Sequence, residues 1–254
     1  MKTLVKKCFR SLGYEITRVK RPAAGISGSS SAVEHNSREQ REHFYSDAVQ
    51  VANYLSAERR QFYREVAEFL IVAVPDFRDA KLRVADYGCG PGMLLKQLSE
   101  LSPRSQFFGY DFASSGISIA RNNLPAAEFM ERDIYQEFPD RYDLILCTEV
   151  LEHLEHPKKA LRNLLGQLAS GGRLLLTVPD GRMDQYTGHI HFWSPESWKL
   201  FLADACNGCK FETGHIAGGT SRAYLYASIA GPAGQAAFRP ASEVVRRSSS
   251  GVAT

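Results

Sequence analysis

The spacing of apolar positions changes along this chain. From Ser37 to Leu70 they recur at helical intervals, and Phe62, Val66, Phe69 and Leu70 form one stripe that reads as core. Beyond it, apolar residues gather into short runs at 82–86, 107–111, 128–132, 142–147 and 173–178, which predict strands. Helical patterns at 93–101, 115–122 and 157–169 separate them. The helix before the fifth strand is expected to stop at Gly171-Gly172. Ser194-Pro195 predicts another helix start, with serine as N-cap and proline in the first turn, running to about 204. Two last strands, 211–216 and 223–229, are joined through 217–220, a glycine-rich link suited to a hairpin. The predicted fold is α/β: a doubly wound, Rossmann-like, mostly parallel seven-stranded sheet with a C-terminal antiparallel hairpin.

The flanks follow other patterns. Residues 1–20 predict a basic amphipathic helix, with Leu4, Val5, Cys8, Phe9 and Leu12 on one face and Lys2, Lys6, Lys7 and Arg10 between them. Residues 21–36 are Pro/Gly/Ser-rich and read as a flexible linker, 37–238 as the folded domain, and 239–254 as a disordered tail. The longest uncharged apolar runs, 69–75 and 174–179, fall well short of the roughly 18–20 residues that span a bilayer.

Charge sharpens this division. The 254 residues carry +3 overall, but residues 1–36 hold +5 and the stretch from Arg239 holds +2, so the body is net −4. An acidic body argues against a nucleic-acid partner, whose footprint is a basic face. The basic helix suits peripheral contact with an anionic membrane. Five cysteines, an odd number, and a start without an apolar secretory core imply free thiols in a reducing compartment. The expected location is the cytoplasm, at the inner face of the membrane where residues 1–20 engage it. Cys206-Asn-Gly-Cys209 has no second pair and reads as thiols rather than a zinc site.

Candidate chemistry begins where the first strand ends. Asp86-Tyr-Gly88-Cys89-Gly90-Pro-Gly92 opens a helix, and its glycines permit a tight turn and close ligand approach. A dinucleotide loop would need a glycine at 93, which is Met, so the spacing favours a ligand without a pyrophosphate. At these residues the chain resembles the class I S-adenosylmethionine-dependent methyltransferases, over about residues 80–230. The resemblance implies S-adenosyl-L-methionine as cofactor. It assigns Asp111 to both ribose hydroxyls, which a carboxylate can serve together. It places Asp133 near the adenine amino group, with Ile134 offering its N–H to the ring. The cofactor set so expected is Asp86, Gly88, Cys89, Gly90, Gly92, Asp111, Phe112, Asp133, Ile134 and Thr148.

Glu149-Val-Leu-Glu152-His153 is similar to a segment of the ubiquinone-type O-methyltransferases and of the small-RNA 2′-O-methyltransferases, where such residues bind a divalent metal. On a helix, Glu149, Glu152 and His153 would share a face. With the distant His189 they form a metal set suited to Mg²⁺. Alternatively His153 or His189, with Glu149 nearby, moves a proton from a hydroxyl nucleophile. Trp193, Trp198, Tyr186 and Phe192 either wall a substrate pocket or pack in the core. The expectation is methylation of a hydroxyl on a sugar, polyol or other small-molecule or glycan acceptor. A quinol or phenol is the first alternative, a non-catalytic S-adenosylmethionine-binding protein the second, and the acidic body disfavours RNA.

Overall fold

The computed structural model describes residues 36–74, 77–206, 208–216 and 224–231. The predicted helix 1–20, all of the linker except Asn36, the link 217–220 and the tail 239–254 lie outside the described residues. Three helices lead: α1 (Arg38–Ser46), α2 (Ala48–Tyr54) and α3 (Ala57–Ala73). The body then runs β1 (Arg83–Tyr87), α4 (Met93–Leu101), β2 (Gln106–Asp111), α5 (Ser114–Asn123), β3 (Glu128–Glu131) and β4 (Tyr142–Thr148). After a 3₁₀ turn at Leu151–His153 come α6 (Pro157–Gly166), β5 (Leu168–Pro179), α7 (Pro195–Ala205), β6 (Phe211–Ile216) and β7 (Tyr224–Ala230). Among the described residues no helix is long and apolar enough to cross a membrane.

The seven strands lie in the order β3-β2-β1-β4-β5-β7-β6. β1 to β5 are parallel, and β7 runs antiparallel to both β5 and β6. The chain leaves β1 in one direction along the sheet and reaches β4 in the other, so a crevice opens outside the carboxyl ends of β1 and β4. Alternate strand residues feed two apolar layers. Val84, Phe107, Leu144, Leu146 and Leu175 join Phe62, Val66 and Leu70 of α3. Ala85, Tyr87, Ile145 and Leu176 join Leu161 and Leu164 of α6 and Trp198 and Leu202 of α7. Of the predicted stripe, Phe62, Val66 and Leu70 are fully buried, and Phe69 packs against them partly exposed.

Two local features position the site. The helix before β5 stops at Gly166, earlier than the predicted Gly171-Gly172. Gln167 is drawn inward: its Oε1 accepts from the Tyr87 hydroxyl at 2.5 Å and its carbonyl from Tyr142 N at 3.0 Å. That fixes the chain as strand from Leu168. The two glycines then serve an irregularity between the pairs Tyr142–Leu168 and Leu144–Arg173, where a Cβ on Gly172 would stand 2.9 Å from the Tyr142 carbonyl. Secondly, the N-cap of α5 is Ala113, whose methyl group cannot accept a capping hydrogen bond. Glu42 of α1 supplies the cap from a distance, accepting from Ser114 N at 2.6 Å and Ser115 N at 2.9 Å. Against the opposing pull of burial, these bonds and the Ser115 hydroxyl hold the Glu42 pKa down to about 2. α1 is thereby tethered beside the end of β2.

Candidate active site

A cavity of about 780 Å³ opens at the switch in strand order. Such volumes suit a small-molecule ligand. Its lining is drawn from the end of β1, the β2–α5 and β3–β4 connections, the turn after β4, the segment between β5 and α7, and helices α1 to α3. Of the residues expected to hold the cofactor, Gly88, Asp111, Phe112, Asp133 and Ile134 line it. Gly88, Gly90 and Gly92 all have positive φ, at 77, 46 and 74°, a backbone path that other residues rarely follow. At Gly88 the path also brings Val150 close, since a Cβ there would meet its Cγ2 at 2.2 Å.

Asp111 binds the loop as well as facing the cavity. Its Oδ2 accepts from Gly90 N and its Oδ1 from Ala113 N, both at 2.9 Å. Each carboxylate oxygen keeps a further lone pair for a ligand. Burial raises its pKa against these bonds. Asp133 turns its Oδ1 back to Tyr135 N at 2.8 Å, which fixes the loop carrying Ile134.

The other members of the set stand back from the lining. Asp86 is 2% exposed, and burial followed by the nearby Asp111 charge pushes its pKa well above the usual range. The Cys89 side chain enters the apolar layer beside α4 while its N–H donates to the Tyr110 carbonyl at 3.0 Å. Gly90 and Gly92 shape the turn, and Thr148 closes β4 as a buried residue.

The Glu149–His153 segment departs from the predicted helix. Glu149, the first residue past β4, takes a φ of 57° rather than starting a helical turn. Its N–H donates to the Thr177 carbonyl at 3.1 Å, and its Oε1 accepts from the Thr177 hydroxyl at 3.2 Å. That pairing with β5 turns Glu149 off the line of Glu152 and His153, so the three do not share a helical face. Glu152 and His153 instead meet His189: one donor atom from each lies within 4.8 Å of the others. Glu152 is fully buried, and neither carboxylate oxygen has a hydrogen-bond partner among the described residues. Burial, then the Glu149 charge, raises its pKa well above the usual carboxylate range. Burial, with Arg41 and His189 adding to it, lowers His153 to about 3, which leaves a neutral imidazole. The His153 Nδ1 faces the Gly188 carbonyl at 3.2 Å.

His189 is the best oriented of the three. Its Nδ1 lies 2.5 Å from Asp184 Oδ2, and its Nε2 lies 3.8 Å from Glu152 Oε1. Both the Asp184 and His189 side chains are less than a tenth exposed. An acid on one ring nitrogen fixes the tautomer and leaves the other nitrogen aimed at the cluster. Asp184 has no sequence signature. It precedes His189 by five residues in an irregular loop, where no periodicity marks it. Arg41 and Arg59, which line the cavity from α1 and α3, are equally silent in the sequence. Of the four predicted aromatic residues, Tyr186 lines the cavity, Trp193 and Trp198 belong to the core, and Phe192 stands half exposed. Cys206 and Cys209 are free thiols outside the cluster.

The model of the methyltransferase domain matches residues 54–206, more than half of the chain. The chain belongs to this methyltransferase-domain family. Its strand order and cavity are those of the class I S-adenosylmethionine-dependent methyltransferase fold, as the glycine loop implied. Over 102 residues the chain is 36% identical to a malonyl-[acyl-carrier protein] O-methyltransferase of Bacillus cereus, covering 39% of this chain and 38% of that protein. Over 121 residues it is 32% identical to a trans-aconitate 2-methyltransferase of Paracidovorax citrulli, covering 46% of each. The chain thus spans about half the length, or less, of the curated relatives it matches. Among solved structures, the plantazolicin methyltransferase BpumL, in complex with a pentazolic desmethylPZN analog and SAH, superposes with a TM-score of 0.62 at 18% identity, over 76% of this chain and 95% of that one. The N-methyltransferase NodS of Bradyrhizobium japonicum, in complex with S-adenosyl-L-homocysteine, gives 0.60 at 19% identity over 78% and 99%. At these identities the domain shares a fold with both.

Proposed function

We propose that this methyltransferase domain transfers the methyl group of S-adenosylmethionine to a hydroxyl oxygen of a small-molecule or glycan acceptor. The observation that carries the reading is the His189–Asp184 pair facing Glu152 and His153 in the wall of the crevice that Gly88, Asp111 and Asp133 line. A carboxylate acceptor is already anionic and needs no base. A neutral hydroxyl must lose its proton as it attacks, and a buried, oriented imidazole is the device for that. The acceptor oxygen forms its bond to the sulfonium methyl, the carbon–sulfur bond breaks with its electron pair going to sulfur, and the hydroxyl proton passes to His189 Nε2. Asp184 steadies the imidazolium so formed. Because the sulfonium is already reactive, holding the two partners in line does much of the rest. Sugars and polyols lead as acceptors, and quinols or phenols follow.

A second reading has its own support. Glu152, His153 and His189 fit a divalent cation: their donors converge, both Glu152 carboxylate oxygens are buried without hydrogen bonds among the described residues, and Asp184 backs one imidazole in the manner of metal sites. Such an ion would lower the pKa of a bound hydroxyl. His189 would then be a ligand rather than the base, and Glu149, bonded to Thr177, would stand outside the set. Cell extract treated with methyl-labelled cofactor and resolved by mass spectrometry tests the activity. Label on an oxygen of a neutral hydroxyl compound is the expected product, and label confined to carboxylates or nitrogen overturns the assignment. Metal content after dialysis, compared with Glu152→Gln, separates the two readings. A bound equivalent lost in the variant selects the cation, and none in either selects the base.

A further inference from the structure

We infer that the acceptor is amphiphilic, with an apolar portion beside its reacting hydroxyl; this rests on the O-methyltransferase reading. Six large hydrophobic side chains are exposed among the described residues, and four of them, Met183, Tyr186, Ile190 and Phe192, stand within ten residues of one another between β5 and α7. They are 55, 49, 45 and 50% exposed. Four such side chains in one segment mark a surface kept for contact.

The segment is tied down. Gly181 N donates to the Trp193 carbonyl at 2.8 Å, and Ile190 N and His191 N both donate to the Glu152 carbonyl, at 2.9 and 3.2 Å. The exposed side chains are therefore held in water by a fixed backbone.

Continuity with the cavity identifies what covers them. Tyr186 and Ile190 line the cavity and also face outward. The Tyr186 ring lies 4.8 Å from that of His189, and the Phe192 ring 6.2 Å from it. A molecule whose hydroxyl reaches His189 from this side lies along Tyr186 and Ile190, which belong to the same exposed segment as Met183 and Phe192. An anionic membrane surface would call for uncommitted lysine or arginine here; residues 183–192 contain neither, and the adjoining Arg182 is paired with Asp180. The apolar contact accordingly belongs to the acceptor itself: an alkyl or aryl group joined to a hydroxyl-bearing head.

The test uses the full chain saturated with S-adenosyl-L-homocysteine. Two probe series are titrated by calorimetry below their micelle concentrations: butyl, hexyl and octyl β-D-glucosides, and 4-alkylcatechols of matched length. In at least one series, each added methylene is expected to tighten binding roughly two- to fourfold. In a Met183→Ser/Phe192→Ser double variant, the gain falls below about 1.5-fold per methylene. Both sites are exposed, so the variant keeps its fold and its affinity for S-adenosyl-L-homocysteine. Absence of a chain-length trend in both series, or an equal trend in the variant, overturns the inference. So does binding to phosphatidylglycerol vesicles that needs Met183 and Phe192 while the probes show no trend. Failure to bind S-adenosyl-L-homocysteine at the outset would instead overturn the methyltransferase reading beneath it.

Discussion

Asp184→Asn isolates the orientation of His189 from its presence. Asparagine keeps the size of the side chain and removes its charge. It can turn either its carbonyl or its amide toward Nδ1. In the first case the imidazole loses a charged partner at 2.5 Å. In the second the amide donates, Nδ1 becomes the acceptor, and the proton is forced onto Nε2, where it blocks the base. Both side chains are under a tenth exposed, so water does not replace the lost bond. A hydrogen bond to a charged partner at such a site contributes about 2 kcal/mol, or roughly 30-fold in rate. With the acceptor found in the labelled extract, kcat is expected to fall by about that factor, while KM for acceptor stays within roughly twofold. The Kd for S-adenosylmethionine, from calorimetry, should not change. Nitrogen-15 NMR of the histidines should show the His189 proton at Nδ1 in the parent and redistributed in the variant. Asp184→Glu restores part of kcat. A variant with parental kcat, or one that loses cofactor affinity in equal measure, refutes the orienting role.

Three further outcomes follow from the geometry. Gly88→Ala places a Cβ 2.2 Å from Val150 Cγ2 at a φ of 77°. The left-handed strain alone is about 1–2 kcal/mol, so thermal unfolding drops by roughly 2–8 °C and calorimetry shows cofactor binding weakened more than tenfold. Asp111→Asn sets an amide against the Gly90 or Ala113 N–H and removes the charge facing the ligand. Cofactor Kd should rise about ten- to a hundredfold, and an unchanged Kd would remove Asp111 from the ligand site. Asp180 is held at a pKa of about 2, first by the Arg182 guanidinium, then against burial by the Arg182 N–H and His215. A depressed carboxylate contributes stability above its unfolded value near 3.8 and loses it as pH falls toward 2. Urea unfolding should find Asp180→Asn weaker by about 1–2 kcal/mol near pH 7, a discount for the exposed arginine included, with the gap closing below pH 4.

Much of the frame was legible because it rests on local rules. The 211–216 strand and the 93–101 helix match the observed bounds, and the glycine loop with Asp111 carries a pattern that backbone geometry demands. What sequence could not show was set by distant partners. The end of the helix before β5 is decided by Tyr87 and Tyr142 acting on Gln167, 80 and 25 residues away. Helical spacing put Glu149, Glu152 and His153 on one face. The pairing of Glu149 with Thr177 replaces that helix, so Glu149 leaves the set while His189, expected as its distant member, meets Glu152 and His153. Asp184 lies in an irregular loop, where side-chain direction depends on tertiary contacts alone.

The carbonyl of Glu152 receives two successive backbone N–H groups, from Ile190 and His191. This joint clamps the acceptor wall to the turn that carries the reactive cluster, and Asp184 and His189 ride on the same clamped stretch. Substrate range in this lineage can then diversify through side-chain swaps at 183, 186, 190 and 192 while Asp184 and the clamped backbone hold the imidazole. A change of loop length between residues 181 and 193 would drag it out of line. Natural variants with altered acceptors should accordingly differ in the character of those four side chains while conserving the number of residues between them.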